Sequence, residues 1–341
     1  MNRRLPAEWE EQDGVLLAWP HKDSDWHPVL HKVEPVFIEI AKQISLFERV
    51  LIIAPDRNMV ENKLRPAGAS MDQVTVYEID SNDTWTRDFG PITVLEGEKP
   101  LLLDFFFNGW GLKFAADQDN QATRRLHQAG AFSATPLESV GLVLEGGSIE
   151  SDGHGTLLTT EECLLGPNRN PHLSKKEIET ALCKTLGSTN VLWLGSGFLS
   201  GDDTDSHIDT LARLCPEDTL LYVACPDEQD LHFSALRQMA SELESFRTRD
   251  GNPYRLIPLP WPSPSHDEEG QRLPATYANF LIINGAVLVP TYQDNNDAAA
   301  IAAIGEAFPG RTIIGIDCLP LIEQHGSLHC LTMQIPKGVL P

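Results

Sequence analysis

Four short stretches of this 341-residue chain hold side chains that could act together on a substrate. The first is His325-Gly326-Ser327-Leu328-His329-Cys330. As a thiolate, Cys330 would be the chain's strongest nucleophile, although a lone cysteine is more often an inert buried residue. Its neighbour His329 is a poor choice of base, because the run that follows reads as a strand and adjacent strand side chains point to opposite faces. The acid/base therefore has to come from elsewhere, and Gly201-Asp202-Asp203-Thr204-Asp205-Ser206-His207-Ile208-Asp209 is the best source. In an extended segment residues two apart share a face, which sets the His207 imidazole beside the Asp209 carboxylate, a workable acid/base unit. The same loop reads equally as an acidic turn with a surface histidine, or as a divalent-metal loop built from Asp202, Asp203 and Asp205.

The third stretch, Asn82-Asp83-Thr84-Trp85-Thr86-Arg87-Asp88-Phe89-Gly90-Pro91, puts an aromatic ring and a carboxylate in one loop. A flat cation such as guanidinium is well held by a carboxylate on its edge and an aromatic face nearby. A structural ion pair of Arg87 with an aspartate explains the same residues. The fourth, Leu144-Glu145-Gly146-Gly147-Ser148-Ile149-Glu150, ends an apolar strand on Glu145. A carboxylate partly buried there needs a partner, for which a histidine is suited; an exposed Glu145 at a hairpin end is the plain alternative. Other chemistries lack their signatures. Gly195 to Gly201 has the wrong spacing for a dinucleotide fingerprint, and there is no P-loop, GxSxG elbow or HExxH motif.

The elements that must position these loops recur. Two β-rich runs flank a turn at Ile92–Leu95 and Leu101–Phe107, at Gly141–Glu145 and Thr156–Thr159, at Thr210–Leu214 and Thr219–Cys225, and at Asn279–Ile283 and Val287–Pro290. The intervening Gly97, Asp152-Gly153, Pro216 and Asn284-Gly285 suit hairpins. Amphipathic helices are expected at Val33–Leu46, Lys175–Leu186 (with a Ser174/Glu177 capping box), Glu228–Phe246 and Asp297–Phe308. The pattern suggests a repeated β-β-α-β module. Pairing the leftover runs Gly14–Trp19 and Leu328–Gln334 would close a ring, and an open α/β sandwich is the alternative.

Composition bounds the rest. With 26 basic and 49 acidic residues the net charge is −23, which argues against nucleic acid or an anionic membrane as partner and favours a cationic substrate. No apolar run is long enough to span a bilayer, and the N-terminal residues show no signal peptide. The six scattered cysteines, with no CxxC pair, fit reduced thiols in a cytoplasm and suggest no zinc site. No linker divides the chain, so residues 1–341 read as one catalytic domain, with Pro262–Pro274 as a long surface loop and candidate lid.

In this order, Trp85-Thr86-Arg87-Asp88-Phe89-Gly90-Pro91, Leu144-Glu145-Gly146-Gly147-Ser148-Ile149, Asn168-Arg169-Asn170-Pro171, Gly201-Asp202-Asp203-Thr204 leading to His207-Ile208-Asp209, Tyr277-Ala278-Asn279-Phe280 and His329-Cys330-Leu331-Thr332 resemble the agmatine deiminase and Porphyromonas-type peptidylarginine deiminase family. The opening Leu5-Pro6-Ala7-Glu8-Trp9 matches as well, so the resemblance covers nearly the whole chain. It implies an α/β fold, a five-bladed pseudosymmetric β-β-α-β propeller (the pentein fold), with the active site in its central channel. It also implies hydrolysis of agmatine to N-carbamoylputrescine and ammonia through a covalent thiouronium, with no metal or organic cofactor. Carried over, Cys330 is the nucleophile, Asp88 and Asp209 grip the guanidinium, and His207 is the acid/base. Glu145 orients His207 and keeps it charged, Trp85 walls the channel, and Asn279 binds substrate. The resemblance leaves the oligomeric state open, a homo-oligomer included.

The chain departs from the family in two places. Ser206-His207-Ile208-Asp209-Thr210 stands where Gly-His-Ile-Asp-Asn is usual, and His325-Gly326-Ser327-Leu328-His329-Cys330 where Gly-Gly-Asn-Ile-His-Cys is usual. The catalytic types survive, so the departures bear on the substrate's far end. Rival expectations are a peptidylarginine or free-arginine deiminase, and a non-catalytic binding module on the same fold.

Overall fold

The computed structural model describes residues 3–341; Met1 and Asn2, where the signal-peptide reading begins, lie outside the described residues. Its strands form five small sheets, and four of them are built on three consecutive strands, the first also taking Arg3–Arg4 at its edge. In each of those four a hairpin comes first. Ile92–Glu96 pairs antiparallel with Lys99–Phe106, Ile149–Ser151 with Thr156–Thr160, Ala212–Cys215 with Thr219–Val223, and Leu281–Ile283 with Ala286–Thr291. The second strand of each hairpin then takes a parallel partner, Leu137–Val143, Asn190–Leu194, Arg255–Leu259 or Thr312–Asp317. A parallel partner needs a crossover. The crossovers carry the helices Asp119–Gln128, Lys175–Leu186, Phe233–Ser245 and Asp297–Ala307.

The fifth sheet is assembled from both chain ends. Thr332–Pro336 pairs antiparallel with Gln12–Ala18, which pairs parallel with Arg49–Ala54 across the helix Leu30–Ser45; Val74–Glu78 extends the sheet. The repeated β-β-α-β topology and the pairing of the two terminal runs agree with the sequence reading. Hydrogen-bonded ladders do not run from sheet to sheet, so no single closed sheet exists among the described residues.

Two assignments need correction. Gly141–Glu145 is not the first strand of the second hairpin. Residues 141–143 end the parallel strand Leu137–Val143 of the preceding sheet, and the hairpin strand is the three-residue Ile149–Ser151, after the Gly146–Ser148 turn. Asp119–Gln128 is a helix the sequence reading left out, because only Asp119, Ala122, Thr123 and Leu126 of its ten residues are buried and the apolar stripe is too thin to stand out.

The core runs through all five sheets. Val15 to Ala18, Val50 to Ala54 and Leu281 to Ile283 are buried residue after residue, the continuous apolar pattern of strands covered on both faces. Buried polar side chains join one module to the next: the Thr160 hydroxyl donates to the Ser206 carbonyl (2.8 Å), Thr276 to Thr210 (2.8 Å), and Thr86 to Leu331 (2.8 Å) and Leu16 (3.0 Å).

Candidate active site

The fold brings the sequence-selected residues to equivalent places. Asp88, Glu145, Asp209, Asn279 and Cys330 each lie two to four residues before a strand that enters an antiparallel pair, at Ile92, Ile149, Ala212, Leu281 and Thr332. All five are buried, and so is His207.

Trp85, Asp88, Trp110 and Cys330 line the buried end of an open cavity; its more exposed lining includes Asp25, Asp83, Phe114, Asp203 and His325. The Cys330 sulfur accepts a hydrogen bond from Asn279 Nδ2 (3.2 Å) and lies 3.8 Å from Asp209 Oδ2. Burial pushes its thiol well up, and the Asp209 and Asp88 carboxylates push the same way.

Asp88 is held on both oxygens: Trp110 Nε1 donates to Oδ2 (2.9 Å) and the Gly147 amide to Oδ1 (3.0 Å). Burial, then the charge of Asp209, raises its carboxyl well above the usual range. Asp209 behaves oppositely. Burial works against its ionisation, but the hydrogen bond and charge of His329 (Nδ1 to Oδ2, 2.7 Å) outweigh it and hold the carboxyl low. Its other oxygen, Oδ1, is buried with no partner.

His207 has no hydrogen bond on either ring nitrogen. Nδ1 lies 3.6 Å from Asp88 Oδ1, and Nε2 lies 4.0 Å from Glu145 Oε2, too far for a hydrogen bond. Burial is the largest influence on it and depresses its pKa to about 3, against the opposing pull of Asp209, so the imidazole is neutral. Glu145 spends its charge elsewhere: Arg169 Nε donates to both carboxylate oxygens at 2.9 and 3.0 Å. A charged His207 held by Glu145 is therefore not the resting arrangement.

The local backbone differs from expectation at the same point. Asp205 and Ser206 have φ of +64° and +63°, and Ile208–Thr210 is a turn of 3₁₀ helix, so His207 and Asp209 do not share an extended face. They converge because of Gly147: a Cβ there would lie 2.7 Å from His207 Nδ1, 2.9 Å from Asp88 Oδ1 and 3.2 Å from Asp209 Oδ2. The alternative metal loop also dissolves. Asp202 caps its own turn through Thr204 and Ser206, while Asp205 pairs with Lys113 (2.6 Å) and Arg169 (2.7 Å).

Asn279, expected at the substrate, is fully buried and does not line the cavity; its Oδ1 accepts the His329 (2.9 Å) and Cys330 (3.2 Å) amides and so shapes the nucleophile's turn. Trp85 does line the cavity, its ring so close over Gly326 that a Cβ there would fall 2.3 Å from it. The Pro262–Pro274 loop is not part of the cavity wall; it packs its Arg272 carbonyl onto Gly201.

Several residues at the site went unselected. Trp110 sits at φ 52°, ψ 50° between Gly109 and Gly111, both also at positive φ, a strained conformation for so bulky a residue that delivers its indole to Asp88. The Gly-Trp-Gly triplet was its only sequence signal. Arg169 lies in Asn168-Arg169-Asn170-Pro171, where its residue type alone gives it no role. Glu8, 2.7 Å from His329 Nε2 and 3.0 Å from Arg213, anchors the far side of the Asp209–His329 pair across 321 residues of sequence, a separation no local pattern reports.

Residues 4–336 match the profile of the Porphyromonas-type peptidyl-arginine deiminases, and the chain belongs to that family. A curated Marinomonas protein, provisionally named an agmatine deiminase, is 33% identical over 98% of this chain and 94% of its own. Among solved structures, a Porphyromonas gingivalis protein provisionally named an arginine deiminase superposes with a TM-score of 0.95 at 50% identity, covering 99% of this chain and 100% of its own. A C. jejuni agmatine deiminase with substrate bound superposes at 0.92 with 40% identity, covering 99% and 97%. A dimethylarginine dimethylaminohydrolase, 12% identical with a TM-score of 0.53, shares the fold alone, the pentein type of mixed α/β fold.

Proposed function

We propose that residues 1–341 form one catalytic domain, five modules set as blades around the cavity, that hydrolyses agmatine to N-carbamoylputrescine and ammonia. The observation that carries this reading is the convergence of the Cys330 thiol and the Asp88 carboxylate, at the buried end of one cavity, with the Asp209 carboxylate and a histidine with unpaired nitrogens packed against them. A guanidinium between Asp88 and Asp209 supplies donors for the orphaned Asp209 Oδ1 and a positive charge that offsets both carboxylates. The same cation offsets the two aspartates that add to burial in opposing the thiolate, and the Cys330 proton passes to the neutral His207.

The sulfur then attacks the guanidinium carbon. As the tetrahedral adduct collapses, one C–N bond breaks and the departing nitrogen takes a proton delivered by His207, leaving as ammonia. His207, now able to accept, takes a proton from water as its oxygen attacks the thiouronium carbon. Collapse releases the ureido product and returns the thiolate. The chemistry needs no cofactor.

Agmatine is favoured over arginine by the exposed lining: Asp25, Asp83 and Asp203 stand there, and no lysine or arginine lines the cavity among the described residues. A terminal amine suits that surface and a carboxylate does not. The free-arginine reading rests on the likeness to the P. gingivalis structure. Ammonia and ureido-product release from agmatine, arginine and a peptidyl-arginine separates the two. Agmatine should lead in kcat/KM by at least about tenfold, an electrostatic preference of about 1.4 kcal/mol, and Cys330→Ser should abolish turnover. Equal values for arginine would move the substrate; no turnover of any guanidine would end the enzymatic reading.

A further inference from the structure

His207 presents one ring nitrogen to the Asp88 side and the other to Glu145, beside Cys163, a buried thiol that the deimination reading does not use. Nδ1 faces Asp88 and Gly147, while Nε2 faces Glu145, with Cys163 beside them. One ligand atom from each of Glu145, Cys163 and His207 lies within 4.8 Å of the others, and all three side chains are fully buried. Cys163 does not line the substrate cavity.

We propose that Glu145, Cys163 and His207 form a binding site for a soft divalent cation of the zinc type, and that its occupation switches the acid/base off. The donor set is imidazole, thiolate and carboxylate, which zinc accepts at bonds of about 2.0–2.3 Å. Tetrahedral bonds of that length set ligand atoms about 3.3–3.8 Å apart, so the trio has to contract by up to about 1.5 Å. An independent mark of the site is the unpaired Nε2 of a fully buried histidine pointing into it. Burial holds both the Cys163 thiol and the Glu145 carboxyl toward their neutral forms, and a cation reverses that preference for each. Arg169 stays on Glu145 through Nε alone, its terminal nitrogens reaching Asp205 and the Thr204 carbonyl, so Glu145 keeps a free lone pair for the metal. Asp88, Asp205 and Asp209 offset the added charge, against Arg169 and Lys113.

Binding exchanges one thiol proton for the metal. The metal then occupies the Nε2 lone pair and leaves the proton on Nδ1. An imidazole so fixed cannot become imidazolium, and the proton cycle of deimination stops.

Cadmium titration of the purified chain tests this without relying on turnover. One Cd²⁺ per chain should give a thiolate-to-metal ultraviolet band in wild type and in Cys330→Ser, lost in Cys163→Ser and Cys163→Ala. Zinc should inhibit agmatine turnover reversibly, and the half-inhibitory concentration should rise at least tenfold in Cys163→Ser. The proposal is overturned if no metal is retained, if the band is lost in Cys330→Ser and kept in the Cys163 variants, or if zinc inhibits wild type and Cys163→Ser alike. A band that follows Cys163 in a chain that turns over no guanidine keeps the metal site and ends only the deiminase reading.

Discussion

At the scale of single residues, polar groups left short of partners mark this site. A buried carboxylate oxygen without a donor and a buried imidazole without any partner are costly to maintain, and both occur at Asp209 and His207. Asp88 is the contrast, tied down on both oxygens before any substrate arrives. Trp110→Phe tests the value of that preorganisation, because it keeps an aromatic ring against Phe107 and Phe114 and removes the indole donor with its five-membered ring. A hydrogen bond to a charged group is worth about 1.5–3 kcal/mol, so kcat/KM for agmatine should fall by about 10- to 100-fold while the thermal midpoint holds. An unchanged kcat/KM would mean that the strained Trp110 backbone serves packing and not Asp88. None of this could be read from residue types. Cys330, His207, Asp88, Asp209 and Glu145 were visible as chemistry, but which of them are satisfied depends on Trp110, Arg169, His329 and Glu8, which meet them only in the fold.

At the scale of elements, the hairpins were legible because turn residues and β-rich runs are local signals. The exception shows the limit. In Gly141 to Glu150 a parallel strand of one sheet, a Gly-Gly turn and a three-residue strand of the next follow without a break, and the first strand was credited to the wrong sheet. Composition alone does not say where a chain changes sheets. That turn is also where the site is most sensitive to a single methyl. At Gly147 an added Cβ meets the ends of the His207 and Asp88 side chains at 2.7 and 2.9 Å, whereas at Gly146 it meets the Arg87 carbonyl at 2.1 Å. Side-chain ends can move and backbone cannot. Gly147→Ala should fold with a thermal midpoint within a few degrees of wild type and lose about a hundredfold in kcat/KM, the usual consequence of displacing catalytic groups by about 1 Å. Gly146→Ala should instead lower the midpoint markedly. The reverse pattern would mean that Gly147 is a structural glycine and that the convergence of His207 with Asp88 does not depend on it.

At the scale of the whole molecule, an acidic chain has buried carboxyls that resist ionisation. Burial dominates at each of three positions outside the catalytic cluster, raising Asp83 to about 6, Glu48 to about 7 and Asp119 to about 8, from ordinary values of 3.8 and 4.5. A carboxyl with a raised folded pKa keeps its proton in the native chain after the unfolded chain has lost it. Between pH 6.5 and 8 the native state therefore binds more protons, and stability must fall as pH rises. His207 works in the other direction, its folded value of about 3 lying below the ordinary 6.5, but most of its contribution is complete by pH 6.5 and it opposes the fall above that by only about 0.4 kcal/mol. Asp119 is the group to remove. Its carboxylate caps the Asn82 amide at 2.7 Å and the Asp83 amide at 3.2 Å, and an asparagine oxygen can accept the same bonds without a charge. Over that pH range Asp119 alone accounts for about 1–2 kcal/mol. The wild-type thermal midpoint should drop by several degrees from pH 6.5 to 8, and Asp119→Asn should drop visibly less. A wild-type midpoint that is flat or rises over this range would show that these carboxyls ionise freely, and an equal drop in Asp119→Asn would place the pH sensitivity at Glu48 or in the catalytic cluster instead.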